Sequence, residues 1–395
     1  MTIMKRLLCV ALALTLALSA AAALAEDGLT RINPTEERNI TINEAGLNDV
    51  IEGVSPTTGL YLDELEAPDG FAGLAVTGRY LPMLVQIDNS DGGVNKTAPW
   101  GASYADIVYE TPLHGRGMTR ISFLFSDLIP DSVGPVRSAR MGHVWLREEW
   151  DCGFLFYGQQ EYAKSNVRKE FSKLGADDKG VLFSGIVSAS KPWKQYYTAR
   201  KGATPPHHID ANVAAMYELI PQDHVAPNHT FLFTDELPTE GDDAEQIIIR
   251  WIYQKTGKPL LHYGSNLEYD VDSNAYYRYM RYDDGELVPY EDRDTGEQIA
   301  FSNVIIQFTD VLWVEGDAPV AFQVGRYYYD GRGDKTAGGN ADIFMGGVHV
   351  KGYWQRDDMA SRTVFYGEDG QEIELKRGKT LIVIADKKNW EVSYQ

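Results

Sequence analysis

Between residues 80 and 127 the chain carries three apolar runs. "YLPMLVQIDNS" (80–90) stays apolar until Asp88 and Asn89. "ADIVYETPL" (105–113) and "MTRISFLFSD" (118–127) are rich in β-branched and aromatic residues. Each run predicts a buried strand, and the "HGRG" loop between the last two predicts a hairpin. Gly134-Pro135 then predicts the opening of a helix that runs to about Trp150, because proline suits the first helical turn. "GFLFYGQQEYAKSNVRKEFSKLG" (153–175) repeats the order strand, glycine, helix. "ATPPHHIDANVAAMYELIP" (203–221) reads as a loop and a helix, with His207 and His208 near its start, and "HTFLFTDE" (229–236) as a closing strand.

After "LPTEGDDAEQ" the helical period disappears. Strand-like runs such as "IIIRWIY", "SNVIIQFTDVLWVE", "VHVKGYWQR" and "TLIVIA" alternate with Gly/Asp turns. This pattern predicts an antiparallel, β-rich C-terminal domain over 244–395, following an N-terminal α/β domain over 53–243. The boundary is placed near 243, in acidic linker sequence. No repeat of fixed period is visible.

The first 25 residues read as a signal peptide: Lys5 and Arg6, an apolar run from Leu7, then Ala23-Leu24-Ala25 before Glu26. Residues 26–52 are polar and weakly patterned, as in a tether. No later run is long and apolar enough to span a bilayer. Without the leader, 35 basic residues face 57 acidic ones, a net charge of −22 against −20 for the whole chain. That balance argues against general nucleic-acid or anionic-membrane binding. Cys9 leaves with the leader, so Cys152 stands alone and no intrachain disulfide can form. Its setting, "WDCGFLFYG", predicts a buried, inert thiol. The 23 Tyr include the cluster "YYRYMRY" (276–282) and part of "RYYYD" (326–330), which fit half-buried strands better than sugar-stacking surfaces.

The segment "DSVGPVRSAR" (131–140) holds the candidate chemistry. In the expected helix, Arg137 and Arg140 would lie in the first turn, where the helix dipole disfavours cations. Something negative should therefore lie beside them. An internal carboxylate (Asp88, Asp106 or Glu110) and a ligand carboxylate or phosphate both satisfy that requirement.

Several segments also occur together in a recognisable order: "SPTTG", "LPMLVQIDNS", "ASYADIVYE", "MTRISFLF", "VGPVRSAR", "PPHHID", then "FSNVIIQ", "GNADIFMGG", "GYWQRDD" and "DGQEIELKRGKT". Over about 55–390 the chain resembles the YerB-like family of bacterial cell-envelope lipoproteins. The resemblance implies an α+β fold, with a layered β/β/α N-terminal domain of sandwich type and a β-rich C-terminal domain. It also implies polar site positions at Asp88, Asn89, Asp106, Glu110, Arg120, Arg137, Arg140, Arg200 and His207. Two departures stand out. The lipid-modified cysteine common after the family's leader is absent, so a released or otherwise retained, unlipidated extracytoplasmic protein is expected. The family's His-Asn step is His207-His208 here.

Other motifs carry little. Arg332-Gly333-Asp334 is a tripeptide that a turn explains, and the sequons at Asn39, Asn95 and Asn228 mean nothing if the source is bacterial. His207 and His208 are adjacent, with only Asp210 at ligand spacing, so no metal site is expected, and no cofactor fingerprint occurs. No nucleophile motif names a reaction. Three readings follow: a protein that binds an anionic cell-wall fragment or envelope partner through Asp88, Asn89, Glu110, Arg120, Arg137, Arg140, Arg200 and His207; a cell-wall hydrolase or transferase using Asp88 or Glu110 with His207; and a structural envelope protein whose charges are all internally paired.

Overall fold

The computed structural model describes residues 53–89, 98–113, 119–162, 165–227, 229–253, 256–281, 286–313, 320–322, 337–356, 359–386 and 390–395. The leader, the tether, the "HGRG" loop, the three sequon asparagines, the "RYYYD" cluster and Arg332-Gly333-Asp334 lie outside the described residues.

The apolar runs become β1 (Met83–Ile87), β2 (Ile107–Pro112), β3 (Thr119–Phe125) and β4 (Gly153–Phe156). β3 pairs antiparallel with β1 and with β2, the latter being the expected hairpin, and β4 runs parallel to β1. All residues of β1, β2 and β3 are buried. Their near-continuous apolar sequences reflect a sheet covered on both faces.

The sheet continues past residue 243. Thr380–Asp386 lies beside β2, followed by Asn303–Thr309, Ala337–Met345, Val348–Arg356 and Asp242–Asp243, giving an eleven-stranded sheet. Antiparallel pairing, expected for the C-terminal half, is found in most of its strand pairs, and the expectation is corrected at Thr380–Asp386, which runs parallel to both of its neighbours. A strand buried on both faces has no alternation from which its direction could be read. A second sheet of six strands contains Gln246–Tyr253, Lys258–Asp270 and Ala275–Arg281. Its edge strand, Trp390–Tyr394, falls beyond the last run identified in the sequence.

Alternation along the strands gives two main cores among the described residues, beside a small cluster of Tyr353, Val364 and Tyr366. Met83, Val85, Ile121, Phe123 and Val383 pack with Ile247, Ile249, Trp251 and Leu267 of the six-stranded sheet. Leu84, Ile107, Leu124, Ile382 and Ile384 pack with Val144, Trp145 and Trp150 of the helix Met141–Trp150 and with Phe171 of the helix Val167–Leu174. Both cores therefore draw on residues from either side of 243. Among the described residues, no helix is long and apolar enough to cross a membrane.

The helix expected from Pro135 starts later, at Met141. Residues 133–139 instead form extended backbone tied into the end of the sheet. Val136 bridges Ile87, Asp88 N–H donates to Pro135 O (2.9 Å), and Arg137 N–H donates to Gln86 O (2.8 Å). Those bonds satisfy the backbone without a helix. Proline at a turn and proline at the first helical position look alike in sequence, and the ladder decides between them.

Cys152 is fully buried, and burial pushes its thiol up to about 12. It has the character of an inert core residue.

Candidate functional site

Asp88 follows β1 directly and is fully buried. Three side chains from distant parts of the chain meet its carboxylate. Arg120 Nη1 lies 3.2 Å from Oδ1, while Arg137 Nε and His207 Nδ1 each lie 2.6 Å from Oδ2. β3 delivers Arg120, the extended segment 133–139 delivers Arg137, and the loop before Ile209–Ala211 delivers His207. Arg120 is buried, whereas the Arg137 side chain remains 26 % exposed, so the group opens to solvent on the Arg137 side.

Arg140 is the N-cap of the helix Met141–Trp150 and makes no side-chain cap of the usual accepting kind. Its Nη1 donates to Ala139 O (2.9 Å), and its buried Nε has no hydrogen-bond partner among the described residues. No carboxylate pairs with it among those residues. Burial lowers Arg140 to about 10, and nearby Arg137 pushes in the same direction. Burial also lowers Arg120 to about 9; Asp88 opposes that shift, and Arg140 and Arg137 add to it.

Beneath the arginines lies His143, which the sequence reading passed over. Arg140 N–H donates to His143 Nδ1 (3.0 Å), so the ring is neutral there and its Nε2–H faces Thr111 Oγ1 at 3.1 Å. Burial, then Arg120 and Arg140, hold this imidazole well below the usual histidine range. Its position three residues after the N-cap would have revealed the role, had the helix start been placed at Met141.

The remaining predicted site residues are engaged elsewhere. Asn89 Nδ2 donates to Thr119 Oγ1 (2.7 Å), which donates to Glu110 Oε1 (2.9 Å). Glu110 Oε2 accepts from Ser265 Oγ (2.8 Å) and pairs with Arg278 Nη2 (2.9 Å), a buried link between the two sheets. Asp106 joins Asp127, Ser126 and Thr57 in a separate buried network. Arg200 stacks on Trp100 at 4.4 Å and pairs with Asp294, clasping the two halves of the chain. Asp210, the nearest carboxylate to the histidine pair in sequence, accepts from Trp100 Nε1 (2.6 Å) and Ser132 Oγ (2.8 Å). Among the described residues, no group of three His, Cys, Asp or Glu is placed to hold a metal ion.

Chemically, Arg120, Arg137 and the His207 imidazole meet on the Asp88 carboxylate, and Arg140, without a carboxylate among the described residues, adds a further guanidinium charge beside Arg120 and Arg137.

Two family profiles match the chain: Protein of unknown function (DUF3048) N-terminal domain over residues 71–226 and its C-terminal domain over 259–382. The chain is similar to YerB of Bacillus subtilis (strain 168), named as a candidate lipoprotein. The two are 27 % identical over 312 residues, which cover 77 % of this chain and 80 % of YerB. The crystal structure of YerB from Bacillus subtilis superposes with a TM-score of 0.62 at 22 % identity, covering 86 % of this chain and 99 % of the YerB chain, and so shares the fold. With both profiles in register and the fold in common, the chain belongs to the YerB-like family built from the DUF3048 N-terminal and C-terminal domains.

Proposed function

We propose that this chain is an exported envelope protein that binds an anion at Arg137 and Arg140, a carboxylate or phosphate of a cell-wall fragment or of an envelope partner. The observation that carries this reading is Arg140: a guanidinium lowered by burial, without a carboxylate among the described residues, at the N-terminus of a ten-residue helix. Helix N–H groups and guanidinium forks both suit an anion, and a bound anion would relieve the repulsion among Arg120, Arg137 and Arg140. Asp88 then serves to fix Arg137 and His207 in place. The reading sets this site in a layered β/β/α domain (53–243) followed by a β-rich domain (244–395). Export is supported by the leader-like sequence of residues 1–25 and by the lipoprotein name of YerB. With no cysteine just after Ala25, this chain would be unlipidated.

Isothermal titration with inorganic phosphate and with acetate tests the proposal. Arg140→Met should abolish binding with little change in melting temperature. If the wild type binds neither ion and Arg140→Met costs about 3–5 kcal/mol, the arginine only compensates buried charge and the structural reading stands.

One contact favours a second reading. Asp88 orients the His207 ring through Nδ1, as a carboxylate orients a general base. On that reading the chain is a cell-wall hydrolase or transferase with Asp88 and His207 as the acid/base pair, and Glu110 supports the fold through Arg278. Release of soluble fragments from purified cell wall by the wild type, and not by His207→Gln, would establish it.

A further inference from the structure

A concave surface with none of the site arginines in its lining lies where the segment before residue 243 meets the C-terminal strands. It is a groove of about 780 Å³ between the segment Thr234–Asp242, the strand Val348–Arg356 and the turn Gly367–Glu374. Its apolar lining includes Met345, Val350, Ile373 and Leu237, and Leu237 is 46 % exposed. Seven carboxylates line it against one lysine, Lys351. Among the described residues Glu236, Glu240, Glu368 and Glu374 form no ion pair.

Two further features point to an occupant. The Glu372 side chain is about nine-tenths buried; its Oε1 accepts from Arg362, while Oε2 has no hydrogen-bond partner among the described residues. A buried carboxylate oxygen without a donor is costly, so the site lacks a donor. The outer edge of Val348–Arg356 is also interrupted. Asp242–Asp243 covers Val348 and His349, and Val364–Gly367 covers Gly352 to Gln355. Val350 and Lys351 lie between the two with no strand partner on that side among the described residues, and both line the groove. An exposed strand edge accepts an extended peptide.

We propose that this groove docks an extended segment of another protein, with lysine or arginine side chains against the acidic rim and apolar ones on Leu237 and Val350. A second copy fits poorly, because this chain carries a net charge of −20. The inference does not depend on the anion site.

The test uses a fluorescein-labelled octapeptide of alternating lysine and leucine, followed by anisotropy at low salt, with octalysine and a glutamate–leucine octapeptide as controls. The proposal expects saturable binding of the lysine–leucine peptide, about tenfold weaker for octalysine and absent for the acidic peptide. Glu236→Gln with Glu240→Gln should weaken binding about tenfold and Leu237→Asn about fivefold, with unchanged melting temperatures, since all three side chains are exposed. Equal binding by the variants, equal binding of octalysine, or no saturable binding would overturn the proposal. So would a wild-type dimer that the Glu236→Gln/Glu240→Gln variant lacks, because it would assign the groove to a second copy.

Discussion

His207 Nδ1 lies 2.6 Å from Asp88 Oδ2, a contact between residues 119 apart in the chain. The same oxygen is 2.6 Å from Arg137 Nε, and Arg120 takes the other oxygen. Three elements therefore converge on the Asp88 carboxylate. Replacing it with alanine leaves buried Arg120 uncompensated, and breaking a buried pair typically costs about 3–5 kcal/mol. Urea unfolding of Asp88→Ala should show a loss of that order. Adding Arg120→Met should recover part of it, because the stranded charge is removed with its partner. If the double variant is destabilised by the full sum of the two single losses, Asp88 does not hold the arginines.

Much of this convergence was legible in the sequence. The run ending in Asp88-Asn89 marks the end of a central strand, and Arg120, Arg137 and His207 follow from the family resemblance. The geometry was not legible. Gly134-Pro135 fits a helix start as well as a turn, so Arg137 was placed in a helical turn when it lies on extended backbone bonded to Gln86. Arg200 and Asp294 pair across 94 residues, and Glu110 reaches Arg278 across 168, contacts without any local signature. The junction at 243 looks like a linker because acidic, glycine-containing sequence is all that a local window sees. Thr380–Asp386 pairing beside β2 is a long-range fact, and it joins the two halves.

Gly134 is fixed by Trp100. A Cβ at this position would sit 2.6 Å from Trp100 Cε2 and 2.5 Å from Ile209 O, closer than packed atoms tolerate. Trp100 cannot retreat easily, because it is fully buried and its Nε1 donates to Asp210. Gly134→Ala should cost about 1–3 kcal/mol by overpacking. It should also weaken anion binding, since Pro135 and Arg137 are carried by the same segment. A variant with wild-type stability would mean that the ladder at Val136 yields more readily than its hydrogen bonds suggest.

Proteolysis should separate covalent from structural boundaries. Glu236, Leu237, Thr239 and Glu240 are exposed, so limited digestion should cut first there within the described residues. The two fragments should then co-elute in size-exclusion chromatography without denaturant, because the main sheet and both cores contain residues from each side. Fragments that part on dilution would mean that the halves are independent units.

His143 makes stability fall on the acid side. The folded protein holds this imidazole neutral, below its ordinary pKa of 6.5, through burial and then Arg120 and Arg140. An unfolded chain takes up a proton near pH 6.5 that the folded chain refuses. The stabilising contribution is thus complete above about pH 6.5 and is lost as pH falls through the interval below it, with a limiting slope of about 1.4 kcal/mol per pH unit. His143→Gln cannot take up this proton, so its unfolding free energy should fall less between pH 7 and pH 5.5 than that of the wild type. The absolute stability of the variant should be lower at pH 7, because the acceptor for Arg140 N–H is disturbed. The difference in slope is therefore the quantity to measure, by urea unfolding at both pH values. Parallel slopes for wild type and variant would show that His143 takes up its proton in the folded state as readily as in the unfolded chain.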